Sequence, residues 1–258
     1  MQAHIVLAHP ELKSFNSHLS QVTCRTLQAS GWEVSVSNLY DMEFDPCERP
    51  EHYVSQKTPG RFDVQAEQHH ASERGIIPDI VATEIKLLDR ADLLILQYPM
   101  WWHLPPAMLK GWLDRVLIFG EVYASTKRFE KGRFVGKRAM LSVTVGTSQE
   151  TYAFDGRSGD IDLLLWPVNF SLAYVGYTVL SPFIAYGVEG GLRYSEPSIV
   201  EARLKCVEED YCVVLQNLKQ REVIPFNQMA EWGADGRIKA EAAVYSPFVR
   251  RKQHLVLE

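Results

Sequence analysis

Short apolar runs that alternate with amphipathic segments constrain the fold of this chain more than any other feature. Five runs have the length and composition of buried strands, and each is followed along the chain by a segment with helical periodicity. The predicted strands cover residues 4–8, 33–39, 91–98, 137–144 and 177–186, and the predicted helices cover residues 16–30, 78–90, 105–119, 159–175 and 196–220. Strands that alternate with helices form a parallel sheet with helices on both faces, so the sequence predicts an α/β fold.

Two strand orders are common for such a sheet, the Rossmann order 3-2-1-4-5-6 and the flavodoxin-like order 2-1-3-4-5. Five strands favour the second. No GxGxxG motif follows the first strand, which argues against a Rossmann dinucleotide site. We therefore predict a flavodoxin-like three-layer sandwich with a five-stranded parallel sheet in the order 2-1-3-4-5.

Two segments fall outside this alternation. Residues 40–77 are punctuated by proline and glycine, and we predict an irregular connection there. Beyond residue 221 the periodicity stops. The prediction is one domain over residues 1–220 and an irregular C-terminal extension over residues 221–258, packed on the domain or on a partner subunit.

Charge and cysteine usage exclude several classes of protein. The formal net charge is −5 and the pI is about 5.9, so nothing favours nucleic acid as a partner. The four cysteines have no metal-binding spacing, and free thiols in a reducing cytoplasm are expected, with no metal. The chain shows no signal peptide, and Asp162 and Pro167 interrupt its most apolar later stretch, so we expect a soluble cytoplasmic protein.

Three loops, each directly after a predicted strand, carry most of the functional information. They cover residues 9–16, 99–103 and 144–147, with Tyr152 just beyond the third. In an open α/β sheet, ligands bind outside the carboxyl ends of the strands, where the strand order reverses. Together the loops predict one pocket for a flat cofactor with polar edges, and flavin is the best candidate.

Each loop offers a different kind of contact. In the first, Ser14 and Asn16 stand where a helix begins, and the positive end of a helix suits phosphate groups. The second presents Trp101, Trp102 and His103, whose large rings provide a flat apolar face. In the third, Gly146 permits close approach of the backbone to a ligand. Ordinary helix capping or core packing explains each loop nearly as well when it is taken alone.

Ordered matches over roughly residues 1–220 resemble the NAD(P)H:quinone oxidoreductases of the flavodoxin-like superfamily. The most specific is the run Pro-Ala-Met-Leu-Lys-Gly-Trp over residues 106–112, which follows the aromatic loop. The other matches include His9-Pro10, Ser14-Phe15-Asn16, Gly31-Trp32-Glu33-Val34, Asp79-Ile80-Val81, Tyr98-Pro99-Met100-Trp101-Trp102, Gly120-Glu121, Lys131-Gly132, Leu141-Ser142-Val143-Thr144, Tyr152, Gly159-Asp160, Leu165-Trp166-Pro167 and Ala202-Arg203.

The resemblance implies a homodimer with FAD bound at the dimer interface, and FMN is the less favoured flavin. It implies the following cofactor contacts: His9, Phe15 and Asn16 at the phosphates, with Ser14 beside them; Pro99, Met100, Trp101 and Trp102, with His103 in the same loop, at the isoalloxazine; Thr144, Val145, Gly146 and Thr147 along its edge; Tyr152 near the reactive end; and Arg203 towards the adenine or a phosphate. Tyr123 is expected to cover the substrate pocket from the other subunit, and Trp101 and His103 to contact the substrate.

The chain departs from the family pattern where the animal quinone reductases pair this tyrosine with a histidine. Here the position holds Ser158, preceded by Arg157. A histidine relays protons near neutral pH, whereas a serine does not titrate there. Tyr152 and Arg157 are therefore the predicted catalytic residues, and Arg157 is expected to supply the stabilising charge.

The predicted activity is ping-pong transfer of two electrons as a hydride from NAD(P)H, through FAD, to a quinone or similar acceptor. Two other functions stay open. One is an ancillary flavoprotein that binds a membrane potassium-efflux transporter, for which the scattered charge offers no clear docking patch. The other is an FMN-dependent electron carrier, or an azo- or nitro-reductase.

Overall fold

The computed structural model describes residues 1–189, 195–246 and 248–251. Its five parallel strands lie in the order β2-β1-β3-β4-β5, which confirms the predicted flavodoxin-like sheet. The elements are β1 Gln2–Leu7, α1 Phe15–Ala29, β2 Glu33–Asn38, α2 Val64–Arg74, α3 Asp79–Arg90, β3 Leu93–Pro99, α4 Ala107–Val116, β4 Arg138–Thr144, α5 Ile161–Tyr174, β5 Thr178–Ala185 and α6 Pro197–Gln216.

The central strands are buried on both faces, which explains why they are continuous apolar runs. All seven residues of β3 are buried, and Gln97 is its one polar side chain apart from the Tyr98 hydroxyl. Helices α1 and α6 cover one face of the sheet, where Leu19 and Tyr211 belong to one apolar cluster. Helices α3, α4 and α5 cover the other face, with Trp112 and Leu165 in a second cluster.

The prediction of an irregular segment over residues 40–77 is wrong in its C-terminal part. Helix α2 lies there, beginning after Asp63, whose carboxylate accepts from Ala66 N, and ending at Gly75 in the left-handed conformation. Both caps are ordinary helix boundaries, but the helix between them is largely polar and has a weak apolar stripe. Surrounding prolines and glycines concealed that signal. Helices α4 and α6 are also shorter than predicted at their C-terminal ends.

A buried polar cluster joins β1, β2, α3 and α4. The Glu84 carboxylate is 1% exposed and accepts hydrogen bonds from the Ser37 hydroxyl (2.7 Å) and Trp112 Nε1 (2.8 Å). The His4 imidazole, fully buried, lies 3.9 Å away. Burial alone raises the pKa of Glu84, but the nearby His4 and the hydrogen bonds from Ser37 and Trp112 outweigh it, so this pKa lies below its ordinary value.

The chain beyond α6 packs on the edge of the sheet. Val223 pairs with Leu180 of β5 in an antiparallel bridge, which covers an otherwise open strand edge. Further along, Phe226 and Phe248 pack against Trp166 of α5, with ring centroids 4.9 and 5.6 Å from it. The domain division at residue 221 stays a prediction.

The described residues contain neither a membrane-spanning helix nor a cluster of metal ligands. No helix there has both the length and the apolar character needed to cross a bilayer. In the same part of the chain, no group of three or more histidine, cysteine, aspartate and glutamate side chains is arranged to hold a metal ion. The cytoplasmic location stays a prediction.

Candidate active site

The sheet register brings the three predicted loops to one edge. Strands β1, β3 and β4 are neighbours in the sheet; β3 and β4 end together, with Pro99 opposite Thr144, and β1 ends two residues earlier, with Leu7 opposite Gln97. The backbone N–H of Met100 then donates to Thr144 O at 2.9 Å. The three loops therefore begin side by side.

Side-chain contacts join the loops to one another. Asn16 Nδ2 donates to the Thr144 hydroxyl at 2.9 Å, and Gln97 Nε2 donates to Asn16 Oδ1, also at 2.9 Å. None of the three residues is more than 4% exposed. On the surface above them, the rings of His9 and Trp101 meet edge to face, 6.0 Å apart. The first loop is thus tied to both of the others.

The first loop presents free backbone donors. Ser14 caps α1 by accepting from Ser17 N, whereas the N–H groups of Phe15 and Asn16 have no acceptor among the described residues. The Asn16 side chain is buried and bonded to Thr144 and Gln97, so we expect its backbone N–H rather than its amide to reach a ligand. Glu11 N donates to His9 Nδ1 at 3.0 Å, and burial lowers the pKa of His9. This helix start suits an anionic group.

The second loop is a tight turn that lifts an aromatic ring into solvent. Trp101 and Leu104 exchange backbone hydrogen bonds of 2.9 and 3.0 Å around Trp102 and His103. These two central residues have φ of +51° and +63°. For residues other than glycine this conformation costs about 1–2 kcal/mol each. The turn leaves Trp102 92% exposed, whereas Trp101 is 42% exposed.

The third loop is exposed only from Gly146 onward. Val145 is buried, its N–H donates to Ala185 O, and its C=O accepts from Val188 N, so it supports the loop from behind. A methyl group added at Gly146 would meet only Val188 O, at 3.8 Å. The protein therefore leaves open space beside Gly146 and Thr147.

Tyr152 ends a short 3₁₀ turn after this loop. Its half-buried ring lies 6.4 Å from the ring of Tyr186, which follows β5. Burial raises the pKa of Tyr186, and the nearby Asp162 and Tyr152 add to that effect. Arg157 is exposed, and the next residue, Ser158, donates its N–H to Thr151 O at 2.9 Å. Among the described residues, no hydrogen bond or cation–π contact joins Arg157 to Tyr152, so its catalytic role stays a prediction.

Arg203 borders a cavity next to the third loop. From α6, its Nη1 donates to Gly187 O at 2.9 Å and to Glu189 Oε1 at 3.2 Å. The cavity has a volume of about 740 Å³, and Gly146, Thr147 and Arg203 are among its lining residues. This guanidinium therefore stands beyond the aromatic loop, on the β5 side of the site.

Tyr123 is not brought to the three loops. It lies on the connection after α4, and its hydroxyl accepts from Gln65 Nε2 at 3.2 Å. Its ring packs between Phe119 and Tyr174, with centroid distances of 5.5 and 5.8 Å. A groove of about 760 Å³ connects this tyrosine with Leu104 of the second loop.

Two residues that sequence reasoning missed also shape the site. Gln97 Nε2 donates to Asn16 Oδ1 and so fixes the side chain that joins the first and third loops. Its Oε1 is buried without a partner among the described residues. A single amide within an otherwise apolar strand was the signal that pointed to it. Tyr186 stands beside Tyr152, but nothing in its local sequence marks it.

These features fit a flavin. The exposed Trp102 ring offers a flat apolar surface, the start of α1 offers backbone donors for phosphate, and the space beside Gly146 allows close approach to a ring edge. Flavin chemistry needs orientation and charge stabilisation from the protein, and Tyr152 is the nearest phenol to this space along the chain.

Comparisons with known proteins agree with this geometry. A family of flavodoxin-like fold matches residues 1–209. The NAD(P)H dehydrogenase (quinone) 1 of Cavia porcellus is 42% identical over 72% of this chain and 69% of its own length, and the ribosyldihydronicotinamide dehydrogenase (quinone) of Mus musculus is 38% identical over 72% and 81%. A Klebsiella pneumoniae structure described as a candidate quinone reductase superposes with a TM-score of 0.81 at 29% identity, over 95% of this chain and 98% of that one. The chain therefore belongs to the NAD(P)H:quinone oxidoreductase family of flavodoxin-like fold.

Proposed function

We propose that this protein is a flavin-dependent NAD(P)H:quinone oxidoreductase. The observation that carries the proposal is the meeting of three loops at the carboxyl ends of β1, β3 and β4, with an exposed tryptophan held over them by a strained turn. When bound there, flavin supplies hydride chemistry between a reduced nicotinamide and an acceptor.

Each loop has one task in this proposal. The start of α1 holds the phosphates through the N–H groups of Phe15 and Asn16. Trp101 and Trp102 cover the ring system, and Gly146 and Thr147 follow its polar edge. Reductant and acceptor use the same exposed face in turn, which predicts ping-pong kinetics.

We infer that Tyr152 stabilises negative charge that develops at the ring edge. A phenol hydroxyl can donate a hydrogen bond to such a charge. Arg157 is the proposed second contributor, in place of the histidine that this chain lacks.

FAD is the proposed flavin. The cavity bordered by Arg203 provides room and a guanidinium beyond the aromatic loop, where the adenosine monophosphate half of FAD would lie. FMN has no such half and would leave this space unused.

A visible spectrum of the purified protein tests the proposal. We expect a yellow protein that bleaches with NAD(P)H, recovers with a quinone, and releases FAD on heating, identified by chromatography. Released FMN would contradict the choice of FAD. A colourless protein that takes up neither flavin would refute the proposed function.

We also propose that the protein is a homodimer with its sites at the interface. Helix α5 is largely apolar with no single apolar face, which is typical of a helix covered on most sides, yet Trp166, Phe170 and Tyr174 are only half-buried. They lie on or beside the groove that leads to Leu104. A second copy would cover this apolar surface.

Sedimentation velocity tests the dimer. Phe170→Glu should shift the protein towards monomer, because a carboxylate would be buried without a partner. Val213→Glu, at an exposed apolar position on α6, is the matched control and should leave the dimer intact. A wild-type monomer, or a Phe170→Glu dimer of unchanged affinity, would contradict this interface.

A further inference from the structure

One face of α2 supports the connection on which Tyr123 lies. Gln65, Gln68 and Ser72 follow one another at intervals of three and four, so they share a side of the helix. Gln68 is 3% exposed, its Nε2 donates to Asp114 O at 3.2 Å, and its Oε1 accepts from Phe119 N at 3.1 Å. Helix α2 therefore holds both the C-terminal half of α4 and the start of the turn that leads to Tyr123.

Glu121, two residues before Tyr123, is held from two sides. Ser72 of α2 donates its hydroxyl to Glu121 Oε2 at 3.0 Å. From the opposite side, Arg133 Nη1 donates to Glu121 Oε1 at 2.7 Å and to Glu121 O at 2.8 Å. The other two nitrogens of this guanidinium donate to both Asp89 oxygens, each at 2.8 Å. Its hydrogen bonds hold the pKa of Asp89 below the ordinary value.

The segment between these anchors, residues 118–123, is a compact turn that we call the Tyr123 loop. Gly120 N donates to Tyr123 O at 2.8 Å, and Val122 N donates to Ile118 O at 3.0 Å. Gly120 has φ of +92°, and a Cβ there would come within 2.8 Å of the His69 ring. Because the turn is short and closed, a shift of Glu121 has to move Tyr123.

We propose that Arg133, acting through Glu121, is a positioning residue that sets the Tyr123 ring beside the apolar groove and so determines which quinones the enzyme accepts. This inference rests on the proposed function and on the proposed dimer, in which Tyr123 of one subunit covers the site of its partner. Arg133 itself touches neither the groove nor the three loops. Quinones are flat and uncharged, so the placement of an aromatic ring over their binding surface decides which substituents fit. Helix α2 supports the same loop through Ser72 and Gln68.

Acceptor kinetics test the inference. We compare Arg133→Met with Arg74→Met, the same change at an exposed arginine of α2. At saturating NAD(P)H, Arg133→Met should raise KM for menadione about ten-fold, since displacements near 1 Å at a site have effects of this order or larger. Its kcat with ferricyanide, a small acceptor that needs no covering ring, and its flavin content should match wild type. Arg74→Met should match wild type throughout.

A double-mutant cycle separates positioning from general stability. If Arg133 acts through Tyr123, the menadione effect of Arg133→Met should disappear in a Tyr123→Ala background. Additive effects of the two changes would overturn the inference, and so would an unchanged menadione KM in the single variant. If Arg133→Met does not fold, Ser72→Ala replaces it, and Ser72→Thr, which keeps the hydroxyl, should restore the wild-type KM.

Hydrogen exchange gives a readout that does not depend on activity. In Arg133→Met without flavin, amides of the Tyr123 loop should exchange at least about ten-fold faster than in wild type, as expected for a loop that opens locally, while strand amides stay unchanged. Equal exchange would overturn the inference even if the enzyme is active. A wild-type protein that reduces no quinone would instead refute the proposed function and, with it, the role of Arg133 in the choice of quinones. The exchange result would then test only whether Arg133 anchors the Tyr123 loop.

Discussion

The change Thr144→Val removes one hydroxyl from beneath the three loops and leaves nearly the same shape. In the wild type this hydroxyl accepts from Asn16 Nδ2 at 2.9 Å. Thr144 and Asn16 are 4% and 3% exposed, so water cannot replace the lost partner without rearrangement. The variant therefore isolates a buried donor.

The size of the effect follows from what remains. In the variant, Asn16 Oδ1 still accepts from Gln97 Nε2, whereas the N–H of Asn16 Nδ2 that donated to Thr144 has lost its acceptor. A buried unsatisfied donor costs about 1–3 kcal/mol. For a chain of this length, each kcal/mol lowers Tm by roughly 2–4 °C. We expect a fall in the free energy of unfolding of about 1–3 kcal/mol.

Urea unfolding of the flavin-free protein, followed by circular dichroism, measures this change. Thr144→Ser keeps the hydroxyl and should lose less stability than Thr144→Val. Thr178→Val is the matched control, because Thr178 is exposed at the start of β5, and changes at such sites are usually within about 0.5 kcal/mol. If the urea midpoint of Thr144→Val equals that of the wild type, the hydrogen bond between Asn16 and Thr144 does not stabilise this edge of the sheet.

Three further outcomes are expected. Because the pKa of Glu84 is lowered in the folded state, the contribution of its carboxylate to the free energy of unfolding is fully present above the unfolded pKa and is lost as pH falls through the folded pKa. Glu84→Gln should therefore lower the free energy of unfolding by about 1.5–3 kcal/mol at pH 7. Urea titrations should show that the difference between wild type and variant becomes smaller in acid. Trp102→Ala should weaken flavin binding roughly ten-fold in a fluorescence titration, the scale of one lost stacking ring, whereas Phe248→Ala on the C-terminal extension should not. Tyr152→Phe should lower kcat for quinone reduction about 100-fold at unchanged flavin content, as expected for one lost donor to developing charge, and a rate within two-fold of wild type, taken as about the scatter of such assays, would rule out this role.

The strands were predictable because a strand that is buried on both faces is a continuous apolar run in the sequence. The run that forms β3 is apolar from Leu93 to Leu96, and its one amide, Gln97, lies at the end that faces the site. The loops after β1, β3 and β4 were predictable for a related reason, since parallel strands end at one edge. The strand order followed from these local patterns, and so did the proximity of the three loops.

Helix α2 was not predictable in the same way. Its stability comes from polar contacts such as Gln68 with the backbone at Asp114 and Phe119, residues some fifty positions away, rather than from an apolar stripe. The same holds for Arg133, whose partners Asp89 and Glu121 are 44 and 12 residues distant. No local periodicity encodes such pairs.

The sequence by itself determined the sheet, its order and the edge at which the proposed site lies, because apolar runs and chain connectivity suffice for these. Only the tertiary structure decided which side chains remain available there. It turned Asn16 and Thr144 inward to each other, buried Val145, left Trp102 in solvent, and kept Tyr123 apart from the three loops. The physical reason is that hydrogen bonds between distant residues compete for the same donors and acceptors, and that competition is resolved only when the chain is packed.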